Sequence, residues 1–160
     1  MSPAAFSDGA ELVDMLLAGW EIEKRFEGVS YGESERYAST ARVKKIMPYL
    51  VGQSTEHENL VKSMIQKVKT DRQKWDFPQR VSKFPFHLSW DEEMMKEILR
   101  VERKAMETYS EILARLQVSD TKTFLDLADR EFLVKGLKKL VKDEEEHARL
   151  AQSAIAKPGA

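Results

Sequence analysis

Residues 140–155 read LVKDEEEHARLAQSAI, and residues 50–65 read LVGQSTEHENLVKSMI. The two segments align without a gap, and the alignment sets His147 opposite His57. Internal repetition of this kind is typical of one supersecondary unit followed by a second copy that packs against it. The sequence therefore predicts a chain built from two similar halves.

Each half contains two segments whose apolar side chains recur every three or four residues. This is the period of an α-helix that buries one face, and no clear alternating strand pattern appears. The first helices of the two halves also match, since Glu23-Lys-Arg-Phe26 corresponds to Glu102-Arg-Lys-Ala105. The four predicted buried stripes are Leu12, Leu16, Gly19, Glu23, Phe26, Ser30; Leu50, Ser54, His57, Val61, Met64, Val68; Met95, Ile98, Glu102, Ala105, Tyr109, Ile112, Leu116; and Leu133, Leu137, Leu140, Glu144, His147, Ala151, Ala154.

The predicted fold is an all-α four-helix bundle, a single domain over residues 1–160 made of two helix-pair repeats. The first pair covers about residues 8–69 and the second about residues 91–156. Between them, about residues 70–90 contain prolines and aromatic side chains. We expect this long central crossover to pack its aromatic side chains over one end of the bundle.

Three start signals fix the predicted helix boundaries. Asp8 with Glu11 and Ser89 with Glu92 have the spacing of a capping box, which begins a helix. Proline suits the first position of a helix, so Pro48 is the predicted start of the second helix.

Composition excludes several classes of protein and site. The chain has no cysteine, which excludes disulfides, thiolate zinc sites and iron–sulfur clusters. A net charge of −1 gives no basic excess for nucleic acid or an anionic membrane surface. The longest apolar stretch, about Met15–Trp20, is far shorter than the ~20 residues that span a bilayer. Met1–Gly9 does not resemble a secretory signal, so we expect a cytoplasmic protein that binds neither nucleic acid nor membrane.

Charged side chains interrupt the middle of the predicted buried stripes. Glu144 and His147 are three residues apart and share one helical face, and Glu102 joins them from the facing helix. A buried carboxylate protonates, pairs or binds a metal, because burial without compensation is costly. The repeat adds Glu23 and His57 from the first half. These five residues are the predicted metal ligands, and histidine and carboxylate donors suit iron, manganese or zinc.

Each ligand has a simpler alternative. A lone Glu-x-x-His is weakly specific here, since residues 142–146 are rich in charge. Glu102 could be displaced from the buried face by one position, and His57 could be a hydrogen-bonded core histidine. The metal interpretation depends on all of them falling on buried stripes together.

At these residues the sequence resembles the rubrerythrin branch of the ferritin-like superfamily, over nearly the whole chain. That family carries a Glu on each of two helices and a Glu-x-x-His on each of the other two, around two iron atoms. The matching residues here are Glu23, His57, Glu102-x-x-Ala105-x-x-x-Tyr109 and Glu144-Glu-Glu-His147. The resemblance implies a ferritin-like bundle with two iron ions that reduces peroxide or oxidises ferrous iron. It also implies a homodimer or larger assembly. Without cysteines for a rubredoxin domain, any electron donor would be a separate protein.

The first half departs from the family pattern at two positions. Ser54 stands where the family has a bridging Glu, and Ser30 stands opposite Tyr109. Three motif carboxylates leave two divalent ions with about one surplus positive charge, so one ion is an alternative to two. Glu27 could substitute for the missing carboxylate or simply be solvent-exposed. Tyr109 is the predicted catalytic residue, as a hydrogen-bond donor to the site, and a core aromatic is the alternative.

Three functions therefore remain open from the sequence. The first is a rubrerythrin-like peroxidase or ferroxidase, a di-iron oxidoreductase acting on peroxide, oxygen or ferrous iron. The second is a non-catalytic metal-binding or storage module with a single-metal or degenerate site, because Ser54 replaces a bridging Glu. The third is a structural or interaction protein in which the buried acids are protonated or hydrogen-bonded.

Overall fold

The computed structural model describes residues 2–27, 41–71 and 91–156. It consists of four helices and, within these ranges, no strand. The helices are α1 (Gly9–Glu27), α2 (Ala41–Lys67), α3 (Asp91–Val118) and α4 (Leu127–Ala156). The predicted all-α class and four-helix count are confirmed. None of these helices combines the length and apolar character needed to cross a bilayer.

Each helix has two main neighbours in the bundle. α1 packs along α2, and α3 packs along α4. The two pairs then meet through contacts of α1 with α3 and of α2 with α4. The repeated segments of the sequence, on α2 and α4, therefore lie next to each other.

The predicted buried stripes are confirmed wherever the structure describes them. All of their described members are buried, including Leu16 on α1, Met64 on α2, Ile112 on α3 and Leu137 on α4. The side chains of Phe26 and Ser30 lie outside the described residues. The helical period alone was therefore sufficient to identify the inner face of each helix.

The start of α2 corrects one prediction. The helix begins at Ala41 rather than at Pro48, which lies inside it. An internal proline removes one backbone hydrogen bond and costs about 3 kcal/mol or more. Val43, Ile46 and Met47, all upstream of Pro48, are buried in an apolar cluster. Each such side chain stabilises the fold by roughly 1.5–3 kcal/mol, so their burial offsets the cost.

The other start signals have different outcomes. At α1, Asp8 Oδ1 accepts a hydrogen bond from the Glu11 backbone N–H at 2.9 Å, as a cap does. The Glu11 carboxylate accepts from the backbone N–H of Ser7 at 2.9 Å, one residue before the predicted partner. Ser89 and nearly all of the predicted crossover lie outside the described residues.

The interior consists of two apolar clusters with a polar layer between them. One cluster contains Leu16, Val61, Tyr109 and Leu140 among its members, and the other contains Met47, Ile98 and Ala151. Along α2, α3 and α4 the buried charged residues fall between the members of one cluster and those of the other. The helices therefore bring their polar residues to one level of the bundle.

Gly19 makes room for the ring of Tyr109 across the α1–α3 contact. A Cβ atom at Gly19 would lie 2.6 Å from Cε1 of Tyr109, whose rigid ring has few ways to move. A Cβ at Gly136 would lie 2.2 Å from Met64 Cε, the mobile end of a flexible side chain. A methyl group at Gly136 would therefore displace only the end of the Met64 side chain.

We expect Gly19→Ala to be less stable than the matched control Gly136→Ala by about 1–3 kcal/mol, the usual cost of overpacking. Both substitutions add the same helix propensity, about 1 kcal/mol, which cancels in the comparison. Urea unfolding of the two metal-free variants measures the difference. Equal free energies of unfolding would contradict the packing role assigned to Gly19.

Candidate metal centre

The polar layer contains all five predicted ligands. Glu23 comes from α1, His57 from α2, Glu102 from α3, and Glu144 with His147 from α4. Each of these residues is at most 2% exposed. Four helices that bury one face each have therefore brought carboxylate and imidazole groups from distant parts of the chain into one enclosed site.

Glu144 lies between the two imidazole rings. Its Oε1 is 2.7 Å from Nδ1 of His57, and its Oε2 is 3.5 Å from Nδ1 of His147. The rings stack with their centroids 5.4 Å apart and their planes 24° from parallel. Each of these three residues offers a ligand atom such that all three atoms lie within 4.8 Å of one another.

The close trio differs from the one that the sequence emphasised. We predicted Glu102, Glu144 and His147 as the central set, and the structure groups His57 with Glu144 and His147. Glu102 remains adjacent, with its Oε2 3.5 Å from Nδ1 of His147. Helical spacing gives the face on which each residue lies, whereas the distance between α2 and α4 decides which donors meet.

Several polar atoms of this layer have no hydrogen-bond partner. Among the described residues, the buried unpartnered side-chain atoms are His57 Nδ1, Glu102 Oε1, both carboxylate oxygens of Glu144, and both ring nitrogens of His147. The short His57–Glu144 contact is a close approach that is not aligned as a hydrogen bond. An unpartnered buried polar atom costs about 1–3 kcal/mol, so a set of them needs an explanation.

Glu58 shows how a buried carboxylate is satisfied elsewhere in the same bundle. Its side chain is buried, and Oε1 accepts a hydrogen bond from the indole N–H of Trp20 at 3.2 Å. The ammonium groups of Lys62 and Lys24 lie 3.2 and 3.5 Å from the same oxygen. The polar layer is different, because its unpartnered oxygen and nitrogen atoms are the donors that a transition metal binds. These residues therefore fit a metal ion.

Asp143 holds the outer nitrogen of His57, and the sequence interpretation missed it. Its Oδ2 lies 3.0 Å from Nε2 of His57, and it also pairs with the ammonium of Lys139. Partial burial raises the pKa of Asp143, but hydrogen bonds from Lys139 and His57 hold it below its usual range. An outer carboxylate of this kind fixes the orientation of a metal-binding imidazole, here with Nδ1 facing the site.

Within residues 2–27, 41–71 and 91–156, Nε2 of His147 has no hydrogen-bond partner comparable to Asp143. The alignment that matches His57 to His147 also matches Tyr49 to Lys139 and Gln53 to Asp143. The Tyr49 ring meets the His147 ring edge-on, with centroids 5.8 Å apart. Tyr49 is 47% exposed, so it connects solvent to a buried ring of the site. The repeat does not reveal these two neighbours, because Asp143 aligns with Gln53 and Tyr49 aligns with Lys139.

Tyr109 contacts the site through Glu23. Its hydroxyl donates a hydrogen bond to Glu23 Oε1 at 2.8 Å, and the Gly19 carbonyl lies 3.3 Å from the same hydroxyl. Burial and the negative charges of Glu23 and Glu144 raise the pKa of Tyr109 well above its usual value, so the hydroxyl keeps its proton. Both interpretations of Tyr109 anticipated this contact, and a catalytic role stays a prediction.

Electrostatics divide the carboxyl groups of the layer into two kinds. Burial, reinforced by the charge of Glu144, raises the pKa of Glu23 to about 7. Burial and the adjacent Glu144 also raise the pKa of Glu102 well above its usual value. Burial acts in the same direction on Glu144, but contacts with Glu102, His147 and His57 hold its pKa below the usual range. Glu144 is thus the carboxylate of the layer that stays ionised.

His57 carries the opposite charge in the metal-free protein. Burial lowers the pKa of His57, but Glu144 and Glu23 raise it to about 11. An ion pair of Glu144 with His57 therefore occupies the layer when no metal is bound. Metal binding needs a neutral imidazole, so it would release the His57 proton.

The structure describes the side chain of one of the two residues considered for completing the first half. Ser54 is buried at 1% exposure, on the inner face of α2 as predicted. The side chain of Glu27 lies outside the described residues, so its substitution for the missing carboxylate stays a prediction.

Comparison of the chain with protein-family models, curated proteins and solved structures found no match. The geometry of the polar layer and the sequence pattern therefore carry the functional argument.

Glu23 predicts a pH dependence of the metal-free protein. Its folded-state pKa of about 7 lies above the ordinary 4.5, so between these values the folded protein binds more protons than the unfolded chain. This contribution to stability is present at low pH and is lost as the pH rises through about 7. In the wild type, this titration lowers the free energy of unfolding by up to about 1.4 kcal/mol per pH unit. We expect Glu23→Gln to remove this pH dependence. Urea unfolding with a chelator present, over this pH range, measures it.

The control for this experiment is Glu145→Gln, which changes an exposed carboxylate. It should keep the wild-type pH slope. Identical slopes for Glu23→Gln and the wild type would show that Glu23 titrates normally.

Asp143→Ala tests the orientation of His57. We expect it to weaken metal binding on the order of 10- to 100-fold, the usual effect of removing an outer-sphere partner. Competition for Zn²⁺ against a chromophoric chelator measures the affinity. The neighbouring Glu145→Ala removes an exposed carboxylate from the same helical turn and should bind like the wild type. Equal affinities of the two variants would exclude the orienting role.

Proposed function

We propose that this chain is a ferritin-like metal-binding protein, built from two helix-pair repeats, that binds iron and acts on peroxide, oxygen or ferrous iron. One observation carries the proposal. The unpartnered buried atoms of His57, Glu102, Glu144 and His147 converge on one level of the bundle. Natural proteins leave few buried polar groups unsatisfied, so a metal ion bound within this group of donor atoms is the economical explanation.

The donor set supports iron. The donors are imidazole nitrogen and carboxylate oxygen, and the chain has no cysteine to add a thiolate. Such donors bind iron, and also manganese or zinc. Iron bound there would supply a ferrous–ferric redox couple. The resemblance to rubrerythrins favours this chemistry over simple zinc binding.

The surrounding residues support a protected reaction site. Apolar clusters above and below the layer exclude water, as a reactive metal requires. The Tyr109 hydroxyl donates a hydrogen bond to Glu23 Oε1 at 2.8 Å, so it would hold a proton beside a bound metal. The Tyr49 side chain is about half exposed and contacts the His147 ring, so a small molecule would reach the site from this side. A separate protein as electron donor, and assembly into a homo-oligomer, belong to the same proposal.

A second candidate is a metal-binding module without catalysis. Ser54 favours it, because this buried residue replaces a carboxylate that the two-iron arrangement uses. A site with weaker ligand charge can bind metal without supporting turnover.

We expect added Fe²⁺, under anaerobic conditions, to raise the melting temperature of the wild type. Binding at a metal concentration 100 times Kd stabilises by about 2.7 kcal/mol. Glu144→Gln should lose this metal-dependent shift, because the ionised carboxylate between the two imidazoles is gone. The control Glu145→Gln, one residue further along α4, should keep it.

The same samples separate the two candidates. The iron-loaded wild type should consume peroxide or oxidise ferrous iron faster than free iron does. Stoichiometric metal without turnover would favour the second candidate. A wild type with no metal-dependent shift would overturn both and leave a structural protein with hydrogen-bonded buried acids.

A further inference from the structure

The two halves of the site differ at the residue that contacts both imidazoles. Glu144 on α4 and Ser54 on α2 are equivalent in the repeat, and each is 1% exposed. Glu144 reaches His57 with one oxygen and His147 with the other. A glutamate at position 54 would face the same two rings from the opposite helix. The hydroxyl of Ser54 is too short to play this role.

The donor atoms of His57, Glu144 and His147 lie close enough together to share one ion. Atoms that share a metal at bond lengths of about 2.1 Å lie roughly 3–4 Å apart. The ligand atoms of His57, Glu144 and His147 lie within 4.8 Å of one another. A small adjustment of the side chains therefore brings all three onto one metal.

Among the described residues, a second ion would have to take one of the two imidazoles of the trio, and it would lack balancing charge. The two described histidines already belong to the first group. Two other described carboxylates lie in the layer. Glu23 accepts a hydrogen bond from the Tyr109 hydroxyl, and Glu102 is also buried. Two divalent ions would bring four positive charges against the three buried carboxylates of the layer, Glu23, Glu102 and Glu144. An unbalanced charge is costly in a water-excluded core.

We propose that the site binds a single divalent ion through His57, Glu144 and His147, and that Ser54 is the residue that limits it to one. This inference rests on the metal binding proposed above and specifies its stoichiometry. Glu23 and Glu102 then lie beside the three ligands, with Glu102 Oε2 3.5 Å from Nδ1 of His147 and Glu23 Oε1 3.5 Å from Nδ1 of His57.

Metal content per chain tests the inference. Three proteins are compared: the wild type, Ser54→Glu, and Ser54→Gln, whose side chain is the neutral isostere of glutamate. Each is saturated with Fe²⁺ under anaerobic conditions, or with Zn²⁺. Gel filtration then removes the excess metal. Mass spectrometry then gives the number of ions per chain. We expect one ion for the wild type, one for Ser54→Gln and two for Ser54→Glu. Circular dichroism checks that each variant is folded.

A further variant tests the assignment without changing position 54. Glu102→Gln should keep one ion, because Glu102 is outside the binding trio, whereas a two-ion site would lose an ion. Two ions in the wild type would overturn the single-ion inference and leave the proposed function intact. A folded Ser54→Glu that still binds one ion would overturn the role of Ser54. A wild type that binds no Fe²⁺ and no Zn²⁺ would overturn the proposed function itself.

Discussion

The contact of one carboxylate with two imidazoles, at the centre of a helical bundle, is the constraint on which the other features depend. Glu144 lies 2.7 Å from His57 and 3.5 Å from His147, with all three residues shielded from water. Charged groups in such a place are tolerated only if they compensate one another or bind a ligand. The apolar clusters on either side supply the stability that this layer does not, since its own polar atoms are incompletely satisfied.

The two aligned segments, residues 50–65 and 140–155, differ in the residues around this contact. His57 is supported from outside by Asp143 and Lys139. The aligned residues of the other half are Gln53 and Tyr49, and the Tyr49 ring lies against His147. The same divergence separates Ser54 from Glu144. One half therefore provides an oriented imidazole, and the other provides the ionised carboxylate and an imidazole near solvent.

Packing outside the layer also serves the site. Gly19 lacks a side chain where the Tyr109 ring crosses from α3 to α1, and this close approach lets the hydroxyl reach Glu23. Pro48 favours the start of a helix, yet α2 already begins at Ala41. Burial of Val43 and Met47 stabilises the helical turns that precede the proline. The tertiary contacts before Pro48 stabilise the helix by more free energy than the internal proline costs.

The sequence by itself determined the helical class, the inner face of each helix and the five charged residues at the centre. Periodicity reveals these features because a helix presents every third or fourth residue to the same side, whatever it packs against. Only the tertiary structure decided that His57 rather than Glu102 completes the close trio, that Asp143 holds the outer nitrogen of His57, and that Tyr49 lies against His147. These contacts depend on the spacing and register of α2 against α4. Many residues distributed along both helices set that register together, so no local pattern encodes it.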